Sequence, residues 1–222
     1  TYYAHKHHRS TINTLFNLPK NAYYSAYLDL TDWKIVGEKT QKLYGYEVQP
    51  HQSVSDISQE ALRYIRDRRT PAYKFFKEFT FEALNELYES GKHKLILEFL
   101  CRFLNNTERW LRCEIRFMVD PTNGHLCITM LLLDIHEQKE EEFKIIDRAE
   151  HDSLTGLLNR SSVSQLTDQT LADKQSSSSM HALFIIDLDD FKHINDTWGH
   201  RAGDDCLKTF AQVLKSMFRS TD

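Results

Sequence analysis

The chain has 222 residues, of which 41% are hydrophobic and 27% charged, which suits one large globular domain or two small ones. That composition excludes collagen-like, coiled-coil-only and fully disordered readings. A net charge of -4 supplies no overall basic field for gripping a phosphate backbone, so nucleic acid is not an expected partner.

The N-terminal stretch TYYAHKHHRSTINTLF lacks the apolar core and small-residue site of a secretory signal, and the chain starts without Met, as a fragment would. His5, His7 and His8 read as a frayed terminus rather than a metal site. From Tyr23 to Val36, aromatic and β-branched residues surround a Thr31-Asp32 turn, the pattern of a short hairpin. Ile57, Leu62 and Ile65, then Phe81, Leu84, Leu87 and Tyr88, recur at helical spacing, with Pro71 separating the two stretches.

After Gly91 the period becomes two. Three strands are expected, His93 to Leu104, Glu108 to Val119 and His125 to Asp134, with turns at Asn105-Asn106 and Asp120 to Gly124. In the middle strand Leu111, Cys113, Ile115 and Phe117 share one face, while Arg112, Glu114 and Arg116 share the other. Hairpin, helices and meander together predict an α+β domain with a five-stranded antiparallel sheet.

Cys101, Cys113, Cys127 and Cys206 form no C-x-x-C pair, so no zinc or redox motif is signalled. A reducing cytoplasm suits them, and three lie in alternating apolar stretches as small buried hydrophobes. The longest apolar runs, such as Leu126 to Leu133, are far shorter than the ~18 residues of a membrane helix. No membrane segment is expected in this chain; attachment elsewhere in a longer parent stays open.

The order of elements from Tyr23 to about Lys139 resembles a PAS sensor domain. Leu97-Glu98-Phe99, Arg109-Trp110, the turn before Gly124 and the closing run Leu133 to Lys139 carry the likeness, the last resembling that family's D-I-T-E-x-K-like exit. The resemblance implies a lead-in over residues 1–21, a PAS sensor over 22–135 and a linker helix over 136–151. Its ligand, if it has one, is left unknown. Cys101-Arg102-Phe103-Leu104 reproduces part of the flavin-binding motif of blue-light PAS domains, but the reactive cysteine there sits in a helix between Asn and Gln, whereas Cys101 follows Phe99-Leu100 in an expected strand. Flavin photochemistry is therefore not expected.

Glu137 to Glu150 is highly charged with a narrow stripe of Phe143, Ile146 and Ala149, fitting either a solvated linker helix or one that pairs in a dimer. In Asp152 to Arg160, Asp152 can cap a helix or meet a cation and Gly156 permits a sharp turn. Ser161 or Ser162 can cap the helix carrying Val163, Leu166 and Leu171. A Ser-rich loop, Ser176 to Ser179, then precedes an expected apolar strand, Ala182 to Ile186.

That strand would deliver Asp187, Leu188 and Asp189 to a turn followed by Lys192, a common way to hold Mg²⁺ and a polyphosphate on hard oxygen ligands. Asp187 and Asp189 would face opposite sides unless the strand ends between them. By composition alone a solvated acidic turn accounts for the segment as well as a metal site does. By residue type His193 and His200 could be metal ligands or general bases. Leu207, Phe210, Val213, Leu214 and Met217 are read as the core-facing stripe of a last helix.

D-x-L-T-G-L-x-N-R followed by D-L-D-x-F-K-x-I-N-D-x-x-G-H-x-x-G-D, over Asp152 to Asp222, resembles the N-terminal part of a GGDEF domain of the diguanylate cyclase family. The resemblance implies the opening part of a ferredoxin-like α/β domain over 152–222, a two-metal Mg²⁺ site, a variable slot at His193 and a structural turn at Gly199-His200. Asp187 would be catalytic and, with the Leu188 carbonyl, a metal ligand. Asp190 and Phe191 by their amides and Lys192 by its ammonium would bind phosphates, and Asn195 with Asp204 would read guanine, whose edge suits an amide and a carboxylate. The implied activity is cyclic di-GMP synthesis from two GTP by a cytoplasmic homodimer under PAS control. No Gly-Gly-Asp/Glu-Glu-Phe turn occurs before Asp222, so the fragment is expected to be inactive by itself, and product inhibition and any later phosphodiesterase domain stay open. A non-catalytic sensory or GTP-binding regulatory module is the alternative.

Overall fold

A computed structural model describes residues 17–172, 182 and 184–218. The histidines at 5, 7 and 8 and the Ser-rich loop 176–179 lie outside these residues. The chain divides into two compact units between Lys139 and Glu140.

In the first unit, β1 (Ala22–Asp29) and β2 (Lys34–Thr40) form the expected hairpin. The turn is held by Asp29, whose carboxylate accepts the Asp32 amide at 3.0 Å. Helix α1 (Val54–Tyr64) starts at a reciprocal cap: Ser53 accepts the Asp56 amide and Asp56 accepts the Ser53 amide. Ile65 continues the apolar spacing but lies past the helix end, extended and bridged to Cys101. Pro71 occupies the first position of α2 (Pro71–Lys77), where its missing N–H costs nothing, and Thr80 caps α3 (Phe81–Glu89).

The meander follows as β3 (Lys94–Arg102), β4 (Glu108–Val119) and β5 (Leu126–Asp134). The sheet order is β2-β1-β5-β4-β3, antiparallel throughout, so the chain's first strand pairs with its last at the centre. This α+β arrangement is the one the PAS resemblance implies. The alternation in β4 holds: Leu111, Cys113, Ile115 and Phe117 are buried, while Arg112 binds Glu98 across the strands at 2.7 Å on the other face. Tyr23, Leu28, Val54, Phe76, Leu84 and Ile128 complete one core between sheet and helices. All four thiols are free, and burial pushes those of Cys101 and Cys113 up to about 12, so both pack as apolar groups.

Asp134 ends β5 and organises the exit from the sheet. Its carboxylate takes both prongs of Arg109 at 2.7 and 3.1 Å, the Tyr23 hydroxyl at 3.1 Å and the His136 amide at 2.9 Å, which opens α4 (His136–Glu150). Lys139, one turn into α4, reaches Glu98 at 2.9 Å.

The second unit contains α5 (Arg160–Ala172), α6 (Phe191–Trp198) and α7 (His200–Met217). The strand expected over Ala182 to Ile186 is not found: 182 and 184–186 carry no regular structure, and Phe184, Ile185 and Ile186 are 75%, 92% and 57% exposed. A strand needs a neighbour to take its amides and carbonyls. Among the described residues of this unit there is no strand to provide one.

Asp134→Ala leaves the Arg109 guanidinium, 12% exposed, without its counter-charge. We expect a loss of about 3–5 kcal/mol in urea unfolding; a loss below ~0.5 kcal/mol would mean that Arg109 finds water at no cost.

Candidate functional site

In the second unit the loop between α4 and α5 is built by its own polar side chains. Asp152 accepts the amides of Leu154 and Thr155 and the Thr155 hydroxyl, and these bonds hold its carboxyl below the usual range. Gly156 sits at φ 63°, where a side chain is strained. Asn159 donates to the Ala149 carbonyl at 2.7 Å, near the end of α4, and its carbonyl oxygen accepts the Ser162 amide at 3.0 Å. The cap of α5 is therefore Asn159, not Ser161 or Ser162, because the helix already begins at Arg160. Lys215 of α7 closes the loop from the far side by donating to the Gly156 carbonyl at 2.8 Å.

The acidic segment runs from this unit's irregular stretch into α6. Asp187 is exposed and Leu188 half-buried, both directly before the Asp189-Asp190 turn. Asp190 takes the cap position of α6 in the left-handed region, φ 55°, with no side-chain cap bond. Helix geometry leaves the amides of Asp190, Phe191 and Lys192 without intrahelical acceptors. With the helix dipole they make that end attractive to an anion. Lys192 is exposed in the same turn.

Gly199 joins α6 to α7 at φ 83° and ψ 162°, a conformation that is essentially glycine's alone. The turn lays α7 on α6, with Asn195 half-buried against Gly203 and Asp204 next in the chain, exposed. The structure thus brings Asn195 beside the helix that carries Asp204, and strings Asp187, Leu188, Asp190, Phe191 and Lys192 along the approach to α6. No regular element fixes Asp187 relative to Lys192. His193 faces Thr197 one turn on along its own helix, and His200 opens α7; neither belongs to a cluster of metal-ligating side chains among the described residues.

The first unit contains a polar cluster that sequence reasoning missed. The His51 side chain is 5% exposed and stands between two carboxylates, Nδ1 at 3.1 Å from Glu38 and Nε2 at 2.9 Å from Glu60. Tyr24 donates to Glu38 at 2.9 Å and Tyr46 to Glu60 at 2.7 Å. With an acceptor at each ring nitrogen the imidazole must donate twice, which makes it the cation. Burial pushes the His51 pKa down, but its bonds to Glu60 and Glu38 outweigh this and raise it. His51 and Glu60 also border an apolar cavity of about 60 Å³ between Tyr46, Phe76, Phe99 and Met130. The cluster's members come from β2, α1, β1 and two loop positions, so no local motif announces it.

A second charged group, Asp29, Asp32 and His125, brings its ligand atoms within 4.8 Å of one another. The Lys34 ammonium pairs there with Asp32 and lies 4.0 Å from Asp29. His125 meets Asp29 at 2.8 Å, so the group satisfies itself as a turn lock.

Residues 149–222 match the family model described as diguanylate cyclase, GGDEF domain. The chain is 40% identical over 99 residues to the diguanylate cyclase DgcM of Escherichia coli K12, covering 45% of this chain and 24% of that protein. It is 35% identical over 123 residues to the diguanylate cyclase DosC of the same organism, covering 54% and 24%. The chain thus spans about a quarter of the length of these relatives. Among solved structures, the N-terminal domain of a diguanylate cyclase with PAS/PAC sensor from Marinobacter aquaeolei aligns over 52% of this chain and 97% of that one, at 12% identity and a TM-score of 0.36.

The His51 cluster has a signed pH dependence. A raised imidazole pKa means that its stabilisation is complete below the unfolded value of about 6.5 and is lost as pH climbs through the folded value. Burial pushes Glu60 up, but His51 and Tyr46 hold it below its usual range, so its share is lost only on acidification. Urea unfolding across neutral to mildly alkaline pH should show wild-type stability falling and His51→Gln stability nearly flat; equal slopes would remove the charge from His51.

Proposed function

We propose that this chain is the sensor and opening catalytic part of a PAS-regulated diguanylate cyclase, which converts two GTP to cyclic di-GMP and two pyrophosphates. The observation that supports it most is the start of α6, where unpaired amides, a left-handed Asp190 and an exposed Lys192 follow directly on Asp187 and Leu188. The amides of Asp190 and Phe191 and the Lys192 ammonium would bind the β- and γ-phosphates, and Asn195 with Asp204 would hold the guanine edge. The Asp187 carboxylate and Leu188 carbonyl are hard oxygen donors, the set that Mg²⁺ selects, and no basic side chain pairs with Asp187 among the described residues. An ion held there would neutralise charge on the phosphates.

Each subunit of a homodimer would hold one GTP. Each 3′-hydroxyl oxygen forms a bond to the other nucleotide's α-phosphorus as the bond to pyrophosphate breaks and the hydroxyl proton is released. The first unit would act through α4 by shifting the population of dimers in which the two half-sites face each other. The reaction would be cytoplasmic, where GTP is available, without nucleic acid as partner; among the described residues no helix is long and apolar enough to cross a membrane. These 222 residues contain no Gly-Gly-Asp/Glu-Glu-Phe turn, so the activity is proposed for a protein that includes one.

In such a full-length protein Asp187→Ala should cut GTP turnover by about 100-fold or more while circular dichroism and self-association stay unchanged. Turnover within a factor of about two of wild type would overturn the assignment.

A further inference from the structure

Gly203 lies in an 18-residue helix with no positive φ, a setting in which glycine is a poor choice. No solvent-exposed turn requires it either, since Gly203 is buried. What requires it is the neighbouring helix. A Cβ built on Gly203 would stand 2.1 Å from Oδ1 of Asn195, 3.0 Å from its Cγ and 3.3 Å from its Nδ2. The whole amide of Asn195 therefore rests on the bare Cα of Gly203.

We propose that Gly203 is a positioning residue for nucleotide recognition: its missing side chain is the seat that holds the Asn195 amide in the orientation that meets the base. This rests on the reading of Asn195 as a guanine-binding residue. The obstacle met by a new Cβ is the far end of a rotatable side chain, not backbone. Gly203→Ala is thus relieved by swinging the amide away rather than by parting α6 from α7, and alanine also favours the helix. The fold survives and the orientation is lost. Asp204, the other half of the base contact, follows Gly203 directly, so one turn of α7 supplies one recognition group and seats the other.

The test is a double-mutant cycle in the full-length, turn-containing protein, with KM for GTP, kcat, and the preference for GTP over inosine triphosphate and ATP as readouts. Asn195→Ala alone should raise KM about tenfold and weaken the preference, as expected for the loss of one directed hydrogen-bonding group. Gly203→Ala should do the same with kcat little changed, and Asn195→Ala/Gly203→Ala should be no worse than Asn195→Ala. A general folding defect would instead lower kcat through the active fraction and leave KM and base preference in place.

If Asn195→Ala changes KM but Gly203→Ala does not, or if the two effects multiply, the positioning role is overturned and the guanine reading stands. If Asn195→Ala leaves KM and preference unchanged, the guanine reading fails and takes the inference with it. Should Gly203→Ala misfold, the double variant, which removes the clash, is expected to fold; misfolding of both would overturn the proposal.

Discussion

The first unit depends on one buried carboxylate. Asp134 sits where β5 stops, and a charge at that depth is tolerable only with its partners in place. Those partners come from three directions: Tyr23 from β1 and Arg109 from β4, the strands on either side of β5, and the first amide of α4. The side chain of Asn21 adds a bond to the Asp134 carbonyl at 2.9 Å. Satisfying one charge therefore fixes the ends of the central strands and the point from which α4 departs. The direction of that departure is then set over the first turn by Lys139 on Glu98, itself held by Arg112 from the opposite strand.

The same junction is physically continuous with the cavity. Arg109 lies 3.7 Å over the ring of Tyr44, and Tyr44 donates to Glu137 of α4. Tyr44 and Gly45, at φ 49° and 80°, are the centre of a tight turn closed by paired bonds between Leu43 and Tyr46. Tyr46, at the other end, stacks on Phe103 with 4.2 Å between ring centres and binds Glu60. Cavity wall and exit helix thus hang on two residues of one turn.

What could be read in advance follows from how local each determinant is. The β4 face was legible because burial alternates with every residue, and the helices because apolar spacing and Thr or Ser caps lie within one turn of each other. The junction was legible in part, since Arg109-Trp110 and the Asp134 exit are short motifs. The His51 cluster was not, because its carboxylates stand 13 and 9 residues away on other elements and each residue is unremarkable alone. Ala182 to Ile186 misled for the converse reason: an apolar, β-branched run states a preference for strand, but a strand is a relation between two segments. Asn159 displaced Ser161 and Ser162 as a cap by lying one residue before the helix start at Arg160, where a side chain can reach the amides of the first turn.

In the second unit, hydrogen-bond accounting separates motif residues of two kinds that look alike as letters. Asp152 and Asn159 are acidic and amide residues in a motif, yet one carboxylate oxygen of Asp152 and the side-chain amide of Asn159 are engaged by their own loop and the adjoining helices. Substituting them would disturb the chain path first. Asp187, Lys192 and Asp204 stand in equally conspicuous positions but are exposed, and no ion pair engages them among the described residues. The glycines divide the same way. Gly156 and Gly199 are required by their own backbone angles, whereas Gly203 is required by the side chain of another residue. A motif residue constrained by its own backbone builds the scaffold; Gly203 is constrained instead by the side chain that must fit against it.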